Sequence, residues 1–374
     1  MSPPKILFIF GTRPEAIKLC PLVLHMRERH LEFHPKVCVT AQHRGLLDAM
    51  LERFGVRQDH DLNVMQPNQS LTELTARVLS GLDGVLRRES PDMIVVQGDT
   101  TTTFAAALAG FYHRIAVGHV EAGLRTGDLS QPFPEELNRV LSTRLSALHF
   151  APTRRAQENL LAEGVPARQV VVTGNTCIDA LLYTRERLES GEWPGYHGPL
   201  PAAGKRLILM TAHRRESFGA GFEQICEAVL RIAARGDVEI IYPVHPNPNV
   251  RGVVERRLQG VAGIHLIEPL DYVPFVDLMR RADILLTDSG GVQEEGPSLG
   301  KPVLVLREKT ERQEAVEAGT AQLVGTVPER IVAEVEKLLE SDAAREPFTR
   351  IQNPFGDGRA SVRISDAILS FLKA

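Results

Sequence analysis

The sequence predicts an α/β protein of two doubly wound domains in tandem, and three observations predict it. Short apolar runs alternate with longer amphipathic stretches, the βαβ rhythm of a parallel sheet covered on both faces. That rhythm loosens near Gly174 and starts again at Arg206. The 374 residues suffice for two domains of ordinary size, each with its own core.

In the first domain, residues 1–173, the candidate strands are 6–10, 37–40, 93–97, 115–119, 149–151 and 170–173. Helical stretches such as 15–29, 71–88 and 135–146 lie between them. The segment 191–201, rich in Gly and Pro, reads as a linker or surface excursion. In the second domain, residues 174–358, strands are expected at 206–211, 239–244, 264–267, 283–287, 302–306 and 321–324. Helices are expected at 221–235, 250–258, 275–281, 292–299, 310–318 and 328–340. The amphipathic stretch 359–374 is expected to pack back onto the first domain. Ligands of doubly wound sheets bind beyond the carboxyl ends of the strands, so the chemistry should follow the strands and face a cleft between the domains.

Composition narrows the function. The chain is 43% hydrophobic and 24% charged, with a formal net charge of -4, as in a soluble globular protein. A nucleic-acid or anionic-membrane binder would carry a basic excess. Cys20, Cys38, Cys177 and Cys226 are scattered, which argues against a disulfide framework or zinc site and for a reducing cytoplasm. No metal site is expected. The apolar run 6–10 is too short for a signal-peptide core, and no stretch reaches transmembrane length.

Four motifs stand out in the first domain, three of them at strand ends. Gly11-Thr-Arg-Pro-Glu-Ala-Ile-Lys18 opens a helix, and its amides with Arg13 and Lys18 suit a phosphate or an anionic transition state. A plain strand-to-helix turn is the other reading. Gln97-Gly-Asp-Thr-Thr-Thr-Thr103 puts Asp99 at a strand end, either as a site carboxylate or as a helix N-cap. His119-Val-Glu-Ala-Gly-Leu-Arg125 places Glu121 and Arg125 on a loop, for chemistry or for a surface ion pair. Pro132-Phe-Pro-Glu-Glu-Leu-Asn-Arg139 opens a helix, where Glu135 or Glu136 supplies a further carboxylate and Arg139 lies one turn on.

In the second domain His213 ends a strand beside Arg214 and Arg215, and His245 is a similar case. The sharpest signal is Thr287-Asp-Ser-Gly-Gly-Val-Gln-Glu-Glu295. Ser289, Gly290 and Gly291 turn into a helix whose amides suit phosphate oxygens. Glu295, one turn on, suits the two ribose hydroxyls. An ordinary capped helix is the alternative. Arg312 adds a charge to the same pocket, while Glu294 is expected to face solvent.

Together with Thr40-Ala-Gln-His-Arg44, Gly174-Asn-Thr176 and Asn353-Pro-Phe-Gly-Asp-Gly358, these motifs resemble the non-hydrolysing UDP-N-acetylglucosamine 2-epimerase family over essentially the whole chain. The resemblance implies a glycosyltransferase-B-like pair of Rossmann-like domains, a homodimer, and interconversion of UDP-GlcNAc and UDP-ManNAc without a nicotinamide cofactor. It implies that Arg13, Lys18, Asp99, Glu121, Glu135 and His213 form the catalytic set. Arg139, Ser289, Gly290, Gly291, Glu295 and Arg312 would bind substrate, with Phe275 near the uracil. Gln42, His43, Arg44, Gln66 and Gln69 resemble a region where some relatives bind a second, regulatory UDP-GlcNAc; Leu46 departs from the glutamine expected in regulated members. A glycosyltransferase of the same architecture, a hydrolysing epimerase and a nucleotide-sugar sensor are the competing readings. Three carboxylates on one edge favour elimination over transfer, but which of them is base and which acid stays open.

Overall fold

A computed structural model describes residues 2–40, 44–66, 69–350 and 352–374, with the side chains of Arg44, Leu46 and Arg350 outside the description. The chain divides into two compact units, the first running to Ala180 and taking up Gly356–Ala374, the second spanning Leu181–Phe355.

Unit 1 alternates strand and helix in chain order: β1 (Lys5–Phe10), α1 (Arg13–Glu28), β2 (His34–Val39), α2 (Arg44–Arg53), β3 (His60–Asp61), α3 (Leu71–Glu89), β4 (Met93–Gln97) and α4 (Thr101–Tyr112). There follow β5 (Ala116–Val120), α5 (Glu135–Leu145), β6 (Leu148–Ala151), α6 (Arg154–Ala162), β7 (Val170–Val172) and α7 (Thr176–Glu189), the last crossing the unit boundary. The described strands form one parallel sheet in the order β3-β2-β1-β4-β5-β6-β7. The order reverses at β1, so the switch point lies between β1 and β4. β4 reads Met-Ile-Val-Val-Gln and is buried throughout, as a strand covered on both faces must be. α3 buries Leu74, Val78, Leu82, Val85 and Leu86 along one face. Its start is fixed by Ser70, which accepts from the Glu73 amide at 3.2 Å while Glu73 accepts from the Ser70 amide at 2.8 Å.

Unit 2 repeats the plan with β8 (Arg206–Thr211), α8 (Ala220–Ala233), β9 (Val238–Pro243), α9 (Pro248–Leu258), β10 (Ile264–Ile267), α10 (Tyr272–Arg281) and β11 (Ile284–Thr287). It continues with α11 (Gly290–Glu295), β12 (Val303–Val305), α12 (Gln313–Glu317), β13 (Ala321–Leu323), α13 (Pro328–Glu340) and α14 (Asp342–Arg350). The sheet order is β10-β9-β8-β11-β12-β13, again parallel, with its switch point between β8 and β11. Phe222, Ile225, Val229 and Ile232 of α8 pack with Ile208, Met210, Ile240 and Tyr242 of the sheet. Both units are thus doubly wound, as the apolar rhythm predicts.

Two expectations need correction. The segment 191–201 is no loose excursion: Trp193 and Tyr196 are buried, and the Tyr196 amide donates to Asp277 at 2.9 Å. Trp193 also meets Tyr183 edge-on with ring centres 5.8 Å apart. The aromatic anchors outweigh the Gly and Pro signal. Helix 310–318 shrinks to α12 because Thr310 and Arg312 are held by side-chain bonds before the helix begins.

The chain ends in α15 (Ala360–Lys373), which packs on α1 within unit 1. Asp179 accepts from the Ala360 and Ser361 amides at 3.1 and 2.7 Å, so a residue of α7 satisfies the start of α15. Arg29 reaches Ser365 at 2.8 Å and Asp366 at 2.6 Å. Among the described residues no helix is long and apolar enough to cross a membrane.

Candidate functional site

In unit 1 the chemistry gathers at the carboxyl ends of β1, β4 and β5. β1 delivers Gly11 and Thr12 to the start of α1, with Pro14 in its first turn. Glu15 is buried there. Its carboxyl accepts from the Gly11 amide at 3.1 Å, the Thr12 amide at 2.8 Å and the Thr12 hydroxyl at 2.7 Å. It also accepts from the hydroxyls of Thr100 at 2.8 Å and Thr103 at 3.3 Å. Glu15 therefore ties the end of β1 to the end of β4 across the switch point. Burial pushes its carboxyl above the usual range, against hydrogen bonds that pull it down.

Asp99 follows β4, and the structure removes its reading as a helix cap. Thr100 is the N-cap of α4, accepting from the Thr103 amide at 3.1 Å. The Asp99 carboxylate instead meets Arg139, at 2.9 Å through Nε and 2.7 Å through Nη2. Arg139 Nη1 donates to Glu136 at 2.8 Å, and Asn138 donates to the Asp99 carbonyl at 2.9 Å. Glu136 also accepts from the Thr126 and Gly127 amides at 2.9 and 3.1 Å. Burial opposes its charge, but Arg139 and the two amides prevail and hold the carboxyl below its ordinary value. So of the two neighbours at the start of α5, Glu136 is structural. Glu135 is half-buried, and no hydrogen bond or ion pair of its side chain is present among the described residues.

Glu121 follows β5 in the left-handed region, with φ of 64°, an uncommon posture for a residue with a Cβ. Its carboxylate is buried and bonded to Lys18 of α1 and Gln97 at the end of β4, with Asn175 Nδ2 at 3.4 Å. The ion pair between Glu121 and Arg125 does not form. Arg125 turns to Glu163, at 2.6 and 3.0 Å, and to the Thr143 hydroxyl at 2.9 Å. Arg13, at the first position of α1, is half-buried.

In unit 2 the same sheet edge is organised by Asp288, fully buried after β11. One carboxylate oxygen accepts from the His213 and Arg214 amides at 2.6 and 2.7 Å, and the other lies 3.3 Å from His213 Nδ1. The Tyr242 hydroxyl holds the Ala212 carbonyl at 2.8 Å, pinning the end of β8. His213 stacks on His245 with ring centres 5.3 Å apart and planes 18° from parallel. Burial lowers the His213 pKa, and the Asp288 charge offsets part of that. The neutral ring is the form present near pH 7.

Ser289, Gly290 and Gly291 make the turn into α11. The Ser289 amide is engaged by the Thr287 hydroxyl at 2.9 Å, which leaves Gly290 and Gly291 as the better-placed amides of the three. A Cβ on Gly290 would stand 3.0 Å from Arg312 Cζ, so this glycine is required by the approach of the guanidinium. Arg312 pairs with Glu294 at 2.7 and 2.8 Å. Glu294 is therefore buried and does not face solvent, contrary to expectation, because it neutralises that guanidinium. Glu295 is buried, with the Tyr272 hydroxyl at 3.5 Å, and Phe275 lies half-buried on the same helix, α10. Arg307, buried, binds Glu216 at 3.1 Å through Nη2 and Glu311 at 2.7 Å through Nη1. It thus bridges the loop after His213 to the loop before Arg312.

Of the residues suggested as regulatory, Gln42 and His43 lie outside the described residues, as does the side chain of Arg44. The Gln66 amide donates to Gln69 Oε1 at 3.2 Å, ahead of α3. Among the described residues no group of three or more His, Cys, Asp or Glu side chains is placed to hold a metal ion. Sequence reasoning missed Glu15, Gln97, Asn175, Asp288, Tyr272 and Arg307. Glu15 had a usable signal, since Thr12-Arg-Pro-Glu15 has the spacing of a capping box.

Comparison with known proteins adds the family. The family described as UDP-N-acetylglucosamine 2-epimerase matches residues 25–369. The UDP-N-acetylglucosamine 2-epimerase of Salmonella typhimurium is 54% identical over 372 residues, covering 98% of this chain and 99% of that protein. A crystal structure of UDP-GlcNAc 2-epimerase from Neisseria meningitidis bound to UDP-GlcNAc is 48% identical, with a TM-score of 0.87 over 98% of this chain and 100% of the other. The Methanocaldococcus jannaschii UDP-GlcNAc 2-epimerase in complex with UDP-GlcNAc and UDP is 34% identical, with a TM-score of 0.75 over 98% of this chain and 99% of that one. With its two parallel α/β units, glycosyltransferase-B-like in class, this chain belongs to the UDP-N-acetylglucosamine 2-epimerase family.

Proposed function

We propose that the protein interconverts UDP-GlcNAc and UDP-ManNAc by eliminating and re-adding UDP, without net hydrolysis. The observation that carries this reading is the paired setting of two carboxylates at the ends of adjacent strands: Asp99 on Arg139 after β4, and Glu121 on Lys18 after β5.

The sugar C2 carries no carbonyl, so its proton is not acidic. Breaking the C1–O bond to UDP makes C1 cation-like and the C2 proton easier to remove. A base takes that proton, the C–H electrons form a C1=C2 bond, and the products are a 2-acetamidoglucal and UDP. Returning a proton to C2 from the opposite face, with a UDP oxygen bonding C1 again, inverts the centre. Two proton-handling groups are then needed, and Asp99, Glu121 and Glu135 are the candidates. Arg13, Lys18 and His213 would stabilise the departing diphosphate. Gly290, Gly291, Ser289 and Arg312 would hold its phosphates, Glu295 the ribose and Phe275 the uracil. Arg139 would act on substrate through Asp99. The same reading takes a homodimer as the working form, the cytoplasm as the compartment, and no metal or nicotinamide cofactor.

Incubation of the protein with UDP-GlcNAc in D2O, followed by proton NMR, tests this. UDP-ManNAc with deuterium at C2 of both sugars is the expected result. Free ManNAc with UDP would replace the proposal by a hydrolysing enzyme. An unchanged spectrum with UDP-GlcNAc bound would replace it by a transferase or sensor. Normal turnover in Asp99→Asn, Glu121→Gln and Glu135→Gln alike would overturn the assignment of the carboxylates.

A further inference from the structure

His119 is the second-last residue of β5, an otherwise apolar strand, and its ring is buried. A polar ring buried in a parallel sheet, on a residue paired with Val96 of β4 and His149 of β6, costs stability unless it is used. Here it is used. Its Nε2 lies 2.7 Å from the Gly98 carbonyl oxygen. A carbonyl only accepts, so Nε2 carries the proton and donates. Burial pushes the ring pKa down to about 4, so the neutral form persists at physiological pH, with Nδ1 bare. Nδ1 itself is buried and has no hydrogen-bond partner among the described residues.

The bond falls at a sensitive place. Gly98 is in the left-handed region, φ 72°, and is the pivot between β4 and Asp99. Its amide donates to the Val120 carbonyl at 3.0 Å while its carbonyl accepts from His119. Both polar groups of Gly98 are therefore held by neighbouring residues of β5. The Gly98 carbonyl and the Asp99 amide share one planar peptide, so fixing the first orients the second. His119 also stands two residues before Glu121, whose left-handed φ must be held from within the chain. One ring thus joins the turn before Asp99 to the strand that delivers Glu121.

We infer that His119 is a positioning residue, which sets the relative placement of the Asp99 and Glu121 carboxylates through its hydrogen bond to the Gly98 carbonyl. The assignment rests on the epimerase reading above. It differs from a plain packing role, because Leu would fill much of the same volume without making the bond.

The test compares His119→Leu, which removes the donor, with His119→Gln, whose side-chain amide nitrogen reaches about as far as Nε2. Turnover of UDP-GlcNAc is measured below each variant's melting temperature, and UDP affinity is measured by calorimetry. For His119→Leu, kcat should fall roughly 10–100-fold with KM and UDP affinity little changed, as expected for a small misplacement of reacting groups. His119→Gln should recover most of the loss. Should His119→Leu fail to fold, His119→Asn, whose amide is too short to reach Gly98, takes its place. Unchanged kcat in the donor-less variant would overturn the inference, as would a loss that His119→Gln shares in full. A wild-type protein that does not exchange the C2 proton would overturn the epimerase reading and this assignment with it; an active wild type with an unaffected His119→Leu would overturn this assignment alone.

Discussion

Arg139 grips Asp99 through two guanidinium nitrogens, Nε at 2.9 Å and Nη2 at 2.7 Å, and reaches Glu136 with the third. The planar fork suits this three-point arrangement in a way a lysine ammonium does not. Glu136 is buried, so its charge depends on Arg139 and on two loop amides. Arg139→Met should leave that charge underpaired and cost about 3 kcal/mol of stability. It should also release Asp99 from its fixed direction and lower kcat by roughly 10–100-fold. Arg139→Lys should restore part of the stability and little of the turnover. Thermal unfolding and steady-state kinetics on the two variants separate these effects; equal turnover in Arg139→Lys and the parent would refute the directional role.

Arg307 makes a pH prediction. Burial alone would raise the Glu311 pKa, but the Arg307 guanidinium outweighs it and holds the carboxyl at about 2, against an ordinary 4.5. A carboxyl depressed on folding contributes stability that is present above its unfolded pKa and lost as pH falls through the folded one. Glu311→Gln should therefore melt below the parent at neutral pH. The gap should begin to close below about pH 4.5 and narrow steadily toward about pH 2. Melting curves at several pH values check this. A gap that is constant with pH would mean that Glu311 acts by packing and not by charge.

The apolar rhythm made the two doubly wound units legible, because strands covered on both faces are short, continuous runs such as 93–97. The same rhythm placed Asp99, Glu121, His213 and Ser289 just beyond strand ends, where the structure has them. Pairings were less legible. Arg125 lies four residues from Glu121 in sequence, yet it finds Glu163 across a loop. Glu121 instead meets Lys18, 103 residues away. Such partners depend on how the strand ends converge and leave no local pattern. The left-handed backbone of Glu121 is equally silent, since only glycine advertises that region in a sequence. Trp193 and Tyr196 show the opposite error, where Gly and Pro drew attention away from two aromatic anchors.

Gly290 offers a test of the nucleotide-binding residues that leaves the carboxylates untouched. An added Cβ would stand 3.0 Å from Arg312 Cζ and 3.2 Å from its Nε, too close for both to stay. Arg312 is the more movable partner, a long side chain tethered to Glu294. Gly290 has no left-handed φ, and alanine is an acceptable first residue of a helix. Gly290→Ala should thus still fold, with a melting temperature lowered to the extent that the displaced Arg312 leaves buried Glu294 underpaired. If Arg312 serves the diphosphate in ground state and transition state alike, KM should rise roughly tenfold, about 1.4 kcal/mol of uniform binding, with kcat nearly unchanged. Arg312→Ala should raise KM by at least as much, and the two changes together should be less than additive because they act on one group. Steady-state kinetics on the single and double variants decides the matter. Full additivity would show that the added Cβ acts on substrate directly and not by displacing the guanidinium.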